Sequence, residues 1–351
     1  MRLIIFPDGY DSTEIVYADF NSTFKTRRPD TFPCDSFQCL VILYGRFKMK
    51  RTLYFGNPAY LSLKLGQLVV YKPASGEEKK EVVKTIPVED IASVVLDNKQ
   101  ITITQALLES LLKENCAVIT CDFSHLPTGL MLPLDGHTLQ NERFRSQIDA
   151  SLPLKKQIWQ QTIQSKIVNQ AAVLEYATGE KHPNMLKWAT CVRSGDPDNL
   201  EARAAAYYWK NLFSDNIRGF IRGRDEDAPN NLLNYGYAIV RATVARALVC
   251  SGLLPTLGVH HRNKYNAYCL ADDIMEPYRP YVDLLVYQIV KEEGPLELNT
   301  SMKTRLLSIP MTDVRINGVT SPLMIAATTT SASLAKCFCG ESKQVMYPIL
   351  Q

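Results

Sequence analysis

The stretch Asn231–Asp283, NLLNYGYAIVRATVARALVCSGLLPTLGVHHRNKYNAYCLADDIMEPYRPYVD, decides how the chain is to be read. It begins as a helix-type run rich in small residues such as Gly236, Ala242 and Ala245, and then turns through His260, His261 and Arg262. A second helical run follows with Asp272, Asp273 and Glu276. This layout sets a histidine and carboxylates beside basic side chains, the combination that metal-assisted chemistry on a nucleic-acid backbone requires.

Working back from it, LPLKKQIWQQTIQSKIVNQAAVLEYATG places Leu154, Ile158, Ile163, Ile167, Ala171 and Leu174 near helical spacing, with Gly179 as the stop. Ser194 to Asn199 then form a turn before a helix that holds Glu201. Further upstream the period changes. Leu61, Leu63 and Leu65 alternate before Gly66, and Leu68 to Tyr71 return as a hairpin. Val82–Val88, Ala92–Leu96, Ala117–Cys121 and Gly129–Leu134 suit further strands, and Thr104 can cap a helix through Leu107, Leu108, Leu111 and Leu112 to about Asn115. The expected fold is therefore α+β, with a small β-rich domain over residues 49–143 and a larger all-helical domain over 144–351, the boundary lying near residues 136–150. Residues 1–48 fit neither domain. Pro7, Pro29 and Pro33 break their short apolar runs, and Met49 stands just before the first strand, which favours a start assigned upstream of the true one.

Composition narrows the class. At 351 residues, 46% hydrophobic and 21% charged, the chain is ordinary globular material and long enough for two cores. No apolar run approaches the roughly 18 residues needed to span a bilayer, and Pro7 and Asp8 interrupt the start too early for a signal peptide, so a cytoplasmic protein with no membrane partner is expected. The nine cysteines show no zinc-ligand spacing, the Cys337–Cys339 pair included, and are expected to be reduced thiols. Although the net charge is only +3, residues 202–264 carry nine basic side chains against four acidic ones.

Asp273 and Glu276 are three apart, so on a helix both carboxylates project from one face, and His261 precedes Glu276 across a turn holding Asn263 and Asn266. Oxygen ligands with one imidazole suit Mg²⁺ or Mn²⁺. Plainer readings exist for each part. Asp-x-x-Glu at a helix start is commonly a cap, Asp198-Asn199-Leu200-Glu201 fits a capping box, and the His260–His261 doublet fits a surface turn. Tyr207, Tyr208 and Trp209 suit either core packing or base stacking.

The same residues, with KRTLYFGNPAYLSLK, IPVEDIASVVLDN, AVITCD, LPLKKQIWQ, VRSGDPDNLEARAAAYYW and SPLMIAATTTSASLAKCFCGE in the family's order, resemble the CRISPR-associated integrase (Cas-one) family in its type II form, from Met49 to about Pro348. The resemblance implies a β-rich domain joined to a helical catalytic domain. It also implies that Glu201 in LEARAAAYYW, His261 in GVHHR and Glu276 in DDIMEP bind Mg²⁺ or Mn²⁺, with Asp273 a further catalytic acid and His260 and Asp272 as neighbours. Residues 1–48 have no counterpart in the family.

By the same resemblance, the chain is expected to insert spacer DNA into a CRISPR repeat array by metal-dependent transesterification, with an associated endonuclease activity. Implied partners are the incoming double-stranded fragment, the repeat DNA, a second copy of this chain, a Cas-two dimer and other type II adaptation proteins including the Cas-nine effector. Arg203, Arg241, Arg246, His260, Arg262 and Lys264 are candidate DNA contacts, and Arg218, Arg222 and Arg224 extend the basic set. A stand-alone structure-specific nuclease shares every ligand and differs only in its products, whereas a non-catalytic DNA scaffold would leave the acids as caps.

Overall fold

The computed structural model describes residues 4–5, 16–17, 50–72, 82–223, 227–295 and 297–350. Within residues 1–48 only the two-residue strands β1 (Ile4–Ile5) and β2 (Val16–Tyr17) are described. Met49 and the question of its being the start lie outside the described residues. The chain divides into two compact units, Met1–Val118 and Ile119–Gln351. That division precedes the 136–150 turn at which the hydrophobic period shifts to helical.

In the first unit β3 (Arg51–Phe55) pairs in parallel with β7 (Ile91–Leu96). A second sheet joins β4 (Tyr60–Lys64), β5 (Gln67–Tyr71) and β6 (Val82–Pro87) as antiparallel neighbours, with β8 (Thr102–Ile103) alongside β4. The β4–β5 turn is tight because Leu65 and Gly66 both take positive φ, 51° and 72°, the requirement of a two-residue primed turn. Helix α1 (Gln105–Lys113) seats Leu107 and Leu111 on a core with Leu53, Leu61, Leu68, Ile86 and Val94. Thr104 is its N-cap residue but its hydroxyl makes no capping bond; the Thr104 carbonyl instead accepts from Leu107 and Leu108.

In the second unit β9 (Ala117–Cys121), which spans the division, leads to β10 (Pro127–Met131) and α2 (Gln140–Ile148). Helix α3 (Leu152–Thr178) starts where the Ser151 hydroxyl accepts from Leu154 N and stops at Gly179 in the left-handed conformation, φ 73°. Ile158, Ile163, Ile167 and Leu174 are fully buried along it, as the spacing requires. Around it lie α4 (Pro183–Cys191), α5 (Leu200–Leu212), α6 (Asn230–Cys250), α7 (Cys269–Met275), α8 (Arg279–Glu293), α9 (Thr300–Leu307) and α10 (Leu323–Phe338). The small residues of α6 permit close helix approach: a Cβ on Gly236 would collide with Val282 of α8.

The unit is not all-helical. Besides β10 it contains a hairpin of β11 (Asp313–Ile316) and β12 (Val319–Pro322), with Ile316 opposite Val319. Asn317 and Gly318 form its turn with φ 49° and 76°. Asn-Gly between alternating apolar residues is a strong hairpin signal, and here it overrides the surrounding helical texture.

Candidate metal centre

Three elements of the second unit converge on one cation. Helix α5 presents Glu201 from its first turn, where Asp196 rather than Asp198 caps the helix. The Asp196 carboxylate accepts from Leu200 N and Glu201 N, both at 2.9 Å. Asp198 pairs instead with Arg193 at 2.8 Å. The Glu201 side chain is therefore free of capping duty and accepts a hydrogen bond from the Lys166 ammonium of α3 at 2.7 Å. The same Nζ lies 2.6 Å from Glu276 Oε2. Glu276, at the junction of α7 and α8, also meets Arg279 Nε at 3.0 Å through Oε1. Both contacts to Glu276 are close, buried ion pairs.

Burial pushes the Glu276 carboxyl up, but the Arg279 and Lys166 charges outweigh it and hold its pKa below the ordinary carboxylate range. Lys166 is the mirror case: burial works against its charge, and Glu276 and Glu201 overcome it, raising its pKa.

The histidine turn is built differently. Fully buried Asp273 reaches back from α7 and gathers four donors. Its Oδ2 accepts from Val259 N at 2.7 Å and His260 N at 2.9 Å, while Oδ1 meets His261 N at 3.2 Å and His261 Nδ1 at 2.5 Å. Only glycine fits at Gly258, where a Cβ would lie 2.8 Å from Asp273 Oδ2. The hydrogen bond to Asp273 raises the His261 pKa and directs the opposite ring nitrogen away from the turn, the arrangement in which a carboxylate orients a ligating imidazole. His260 instead stacks on Trp159, 4.0 Å between centroids and 4° between planes, and burial followed by the neighbouring His261 charge lowers its pKa. Asp272 turns away to Arg241 Nε at 2.6 Å and Asn266 Nδ2 at 2.7 Å. Both doublets thus divide by geometry, His261 and Asp273 facing each other and His260 and Asp272 engaged elsewhere.

Among the expected DNA contacts, Arg203, His260, Arg262 and Lys264 are exposed and Arg246 is half-buried. Arg241 is committed to Asp272. Arg222 donates to Asn230 and Asn234, at 2.9 and 2.8 Å, and lies over the Tyr237 ring, so it serves the fold rather than a phosphate. Arg218 is exposed, and Arg224 lies outside the described residues. Tyr208 is not a stacking platform: it is fully buried and its hydroxyl donates to Asp283 at 3.0 Å. All seven described cysteines are free thiols.

The sequence reading missed Lys166, Arg279 and Trp159. A signal for Lys166 was present, since it lies at helical spacing from the apolar Ile163 and next to Ile167, a charge on a core-facing stripe. Arg279 is three residues past Glu276 and on the same face.

The donor chemistry fits a hard divalent cation with one imidazole. Glu201 and Glu276 converge on one positive charge, and His261 offers the nitrogen opposite its Asp273 bond. Among the described residues, no three His, Cys, Asp or Glu side chains already surround a common point; the Lys166 ammonium lies between the two glutamates.

The fold sets a β-rich unit before a mainly helical unit, and the helical unit brings Glu201 and Glu276 onto one lysine. The family model for the CRISPR associated protein Cas1 matches residues 53–297. This chain belongs to that Cas1 family. The CRISPR-associated endonuclease Cas1 of Neisseria meningitidis serogroup C is 40% identical over 260 residues, 73% of this chain and 82% of that protein. A second relative, the CRISPR-associated endonuclease Cas1 2 of Saccharolobus solfataricus, is 30% identical over 246 residues, 66% of this chain and 73% of that protein. Of the solved structures, a casposase bound to integration product aligns with TM-score 0.69 and 20% identity over 85% of this chain and 92% of that one. A Cas6-RT-Cas1–Cas2 complex aligns with TM-score 0.65 and 18% identity, over 84% of this chain and 36% of that chain. At such identities the likeness is one of fold. Among the described residues no helix is long and apolar enough to cross a membrane.

Proposed function

We propose that this chain is a metal-dependent CRISPR adaptation integrase subunit that joins spacer DNA to a repeat array by transesterification. The observation that carries this reading is the convergence of Glu201 and Glu276 on one cationic position beside a histidine oriented by Asp273, in a member of the Cas1 family. Glu201, His261 and Glu276 would hold Mg²⁺ or Mn²⁺, which when bound would supply polarisation of a phosphoryl oxygen and a lower pKa for the attacking hydroxyl. In the reaction the 3′-hydroxyl of the incoming fragment attacks a phosphodiester at the repeat boundary; one P–O bond forms, one breaks, and the displaced strand leaves as a new 3′-hydroxyl. Asp273 fixes the imidazole, and Arg203, Arg262 and Lys264 neutralise phosphates without reading sequence. A second copy of this chain, a Cas2 dimer and type II adaptation proteins including Cas9 complete the proposed assembly; the Cas1–Cas2 complexes that share this fold support the Cas2 part.

Strand joining by purified protein and Cas2, with Mn²⁺ and a repeat-containing target, tests this reading. Glu276→Ala and His261→Ala are expected to lower joining by roughly a thousandfold, as is EDTA. Undiminished joining by either variant would overturn the assignment. The relatives' endonuclease names favour a second reading, hydrolysis as the main activity. Metal-dependent cleavage products with no joined strands would establish it in place of integration.

A further inference from the structure

Glu276 is 4% exposed and Glu201 faces it. A buried carboxylate costs several kcal/mol unless a cation accompanies it, and two facing carboxylates add repulsion. Arg279 pairs with Glu276 Oε1 at 3.0 Å, and the cation that stands between both carboxylates is Lys166, with Nζ at 2.7 Å from Glu201 Oε1 and 2.6 Å from Glu276 Oε2. An ion coordinated by the same oxygens would stand at roughly 2.0–2.2 Å from each, so ammonium and metal cannot share the position. The two cations on Glu276 differ in how they are held. Arg279 is anchored twice, by Glu276 Oε1 and by the face of Tyr237 at 4.7 Å. Lys166 ends a flexible four-carbon stem whose ammonium meets the two carboxylates. A compact ammonium on such a stem moves easily between positions.

We propose that Lys166 is an internal stand-in cation: it holds the two glutamates together in the metal-free protein, and the divalent ion displaces it on binding, so that Lys166 is a positioning residue that sets metal affinity. The proposal rests on the assignment of Glu201 and Glu276 as metal ligands. Its physical content is competition. Every metal ion that binds must first break two ion pairs, and neutralising the lysine removes that competitor while leaving Glu201 without its cation and Glu276 with Arg279 alone until metal arrives.

The test is Mn²⁺ binding, followed by calorimetry and by the electron paramagnetic resonance of free Mn²⁺, with thermal unfolding recorded in parallel. Wild type, Lys166→Met, Lys166→Gln and Glu276→Ala are compared, with Lys166→Gln available should Lys166→Met fail to fold. Lys166→Met and Lys166→Gln are expected to unfold at lower temperature than wild type without metal. They are expected to bind Mn²⁺ about tenfold more tightly or better and to regain more stability on adding it than wild type does. A purely structural salt bridge would lower the unfolding temperature equally with and without Mn²⁺ and leave affinity unchanged, and that result overturns the proposal, as does weakened binding. If wild type shows no Mn²⁺ site that Glu276→Ala abolishes, the ligand assignment itself fails. If wild type shows such a site and the Lys166 variants bind no more tightly, only the role of Lys166 fails.

Discussion

Asp272 and Asp273 on α7, and Glu201 on α5 with Glu276 just past α7, are carboxylates held in different ways. Asp273 accepts four donors from the histidine turn, and Asp272 has a guanidinium and an amide. The glutamates meet only cationic side chains. Bonds to fixed backbone donors make a frame, since each resists rotation of the carboxylate. An ion pair with the ammonium of a flexible side chain is more readily exchanged for another cation. On the proposed reading the aspartate pair sets the shape of the centre and the glutamate pair would receive its ion.

The comparison breaks most directly at Glu276. Glu276→Gln keeps the side chain's size, removes the charge that faces Lys166 and Arg279, and is expected to lower metal-dependent joining or cleavage by roughly a thousandfold. Asp272→Asn, which retains an acceptor for Arg241, is expected to lose roughly tenfold or less. Equal losses in a strand-joining assay would erase the distinction between frame and receiver.

A third buried carboxylate shows what happens without a contacting cation. Asp283 on α8 accepts from Tyr208 of α5 at 3.0 Å and Tyr237 of α6 at 2.5 Å. Burial raises its pKa to about 6 from the ordinary 3.8, against the lowering effects of the two hydroxyls and of Arg222 and Arg279. Between those values the folded protein holds a proton that the unfolded chain has released. This group's effect on stability therefore improves as pH falls from above 6 to below 3.8, by about 3 kcal/mol at most. Unfolding of wild type and Asp283→Asn by denaturant at pH 7 and pH 5 checks the sign: wild type is expected to gain on the variant at the lower pH. Movement the other way would show that Asp283 is held as an ion, like Glu276.

How far the sequence displayed this arrangement follows from the same physics. The α3 stripe ending at Gly179 and the Leu65–Gly66 hairpin were legible because periodicity and turn residues are local signals; Glu201, His261, Glu276 and Asp273 were proposed from the family's motifs, which are local signals too. Partners were not. That Arg241 belongs to Asp272 and that Lys166 spans Glu201 and Glu276 are facts of helices far apart in sequence, whereas the Asp196 cap on α5 is a local contact that the Asp198–Glu201 spacing masked. The Asn317-Gly318 hairpin was a local signal overlooked beneath the helical pattern around it.

Asp273→Asn probes the frame with a smaller expected effect. One oxygen of Asp273 becomes an amide nitrogen facing donors, so the imidazole loses its orienting acceptor. Mn²⁺ affinity measured by calorimetry is expected to fall about 10–100-fold, the usual consequence of removing a carboxylate behind a ligating histidine. Unchanged affinity would mean that the His261 orientation does not depend on Asp273.

Gly258→Ala tests the frame without touching any charged group. The new Cβ would collide first with the backbone carbonyl of His261, and would stand 2.8 Å from Asp273 Oδ2 and 3.0 Å from Cys269 Cβ. None of the three is the loose end of a flexible chain: the first is backbone, Asp273 is tied by four donors and Cys269 begins α7. The turn must therefore move, at a cost of about 1–2 kcal/mol in denaturant unfolding. Because the shift pulls Val259 and His260 N–H groups off Asp273 while leaving Lys166, Glu201 and Glu276 untouched, metal affinity should fall severalfold through His261 alone. The double variant Gly258→Ala/His261→Ala should then bind metal no more weakly than His261→Ala. A further loss in the double variant would place Gly258 in support of the glutamates as well and dissolve the division between the two pairs.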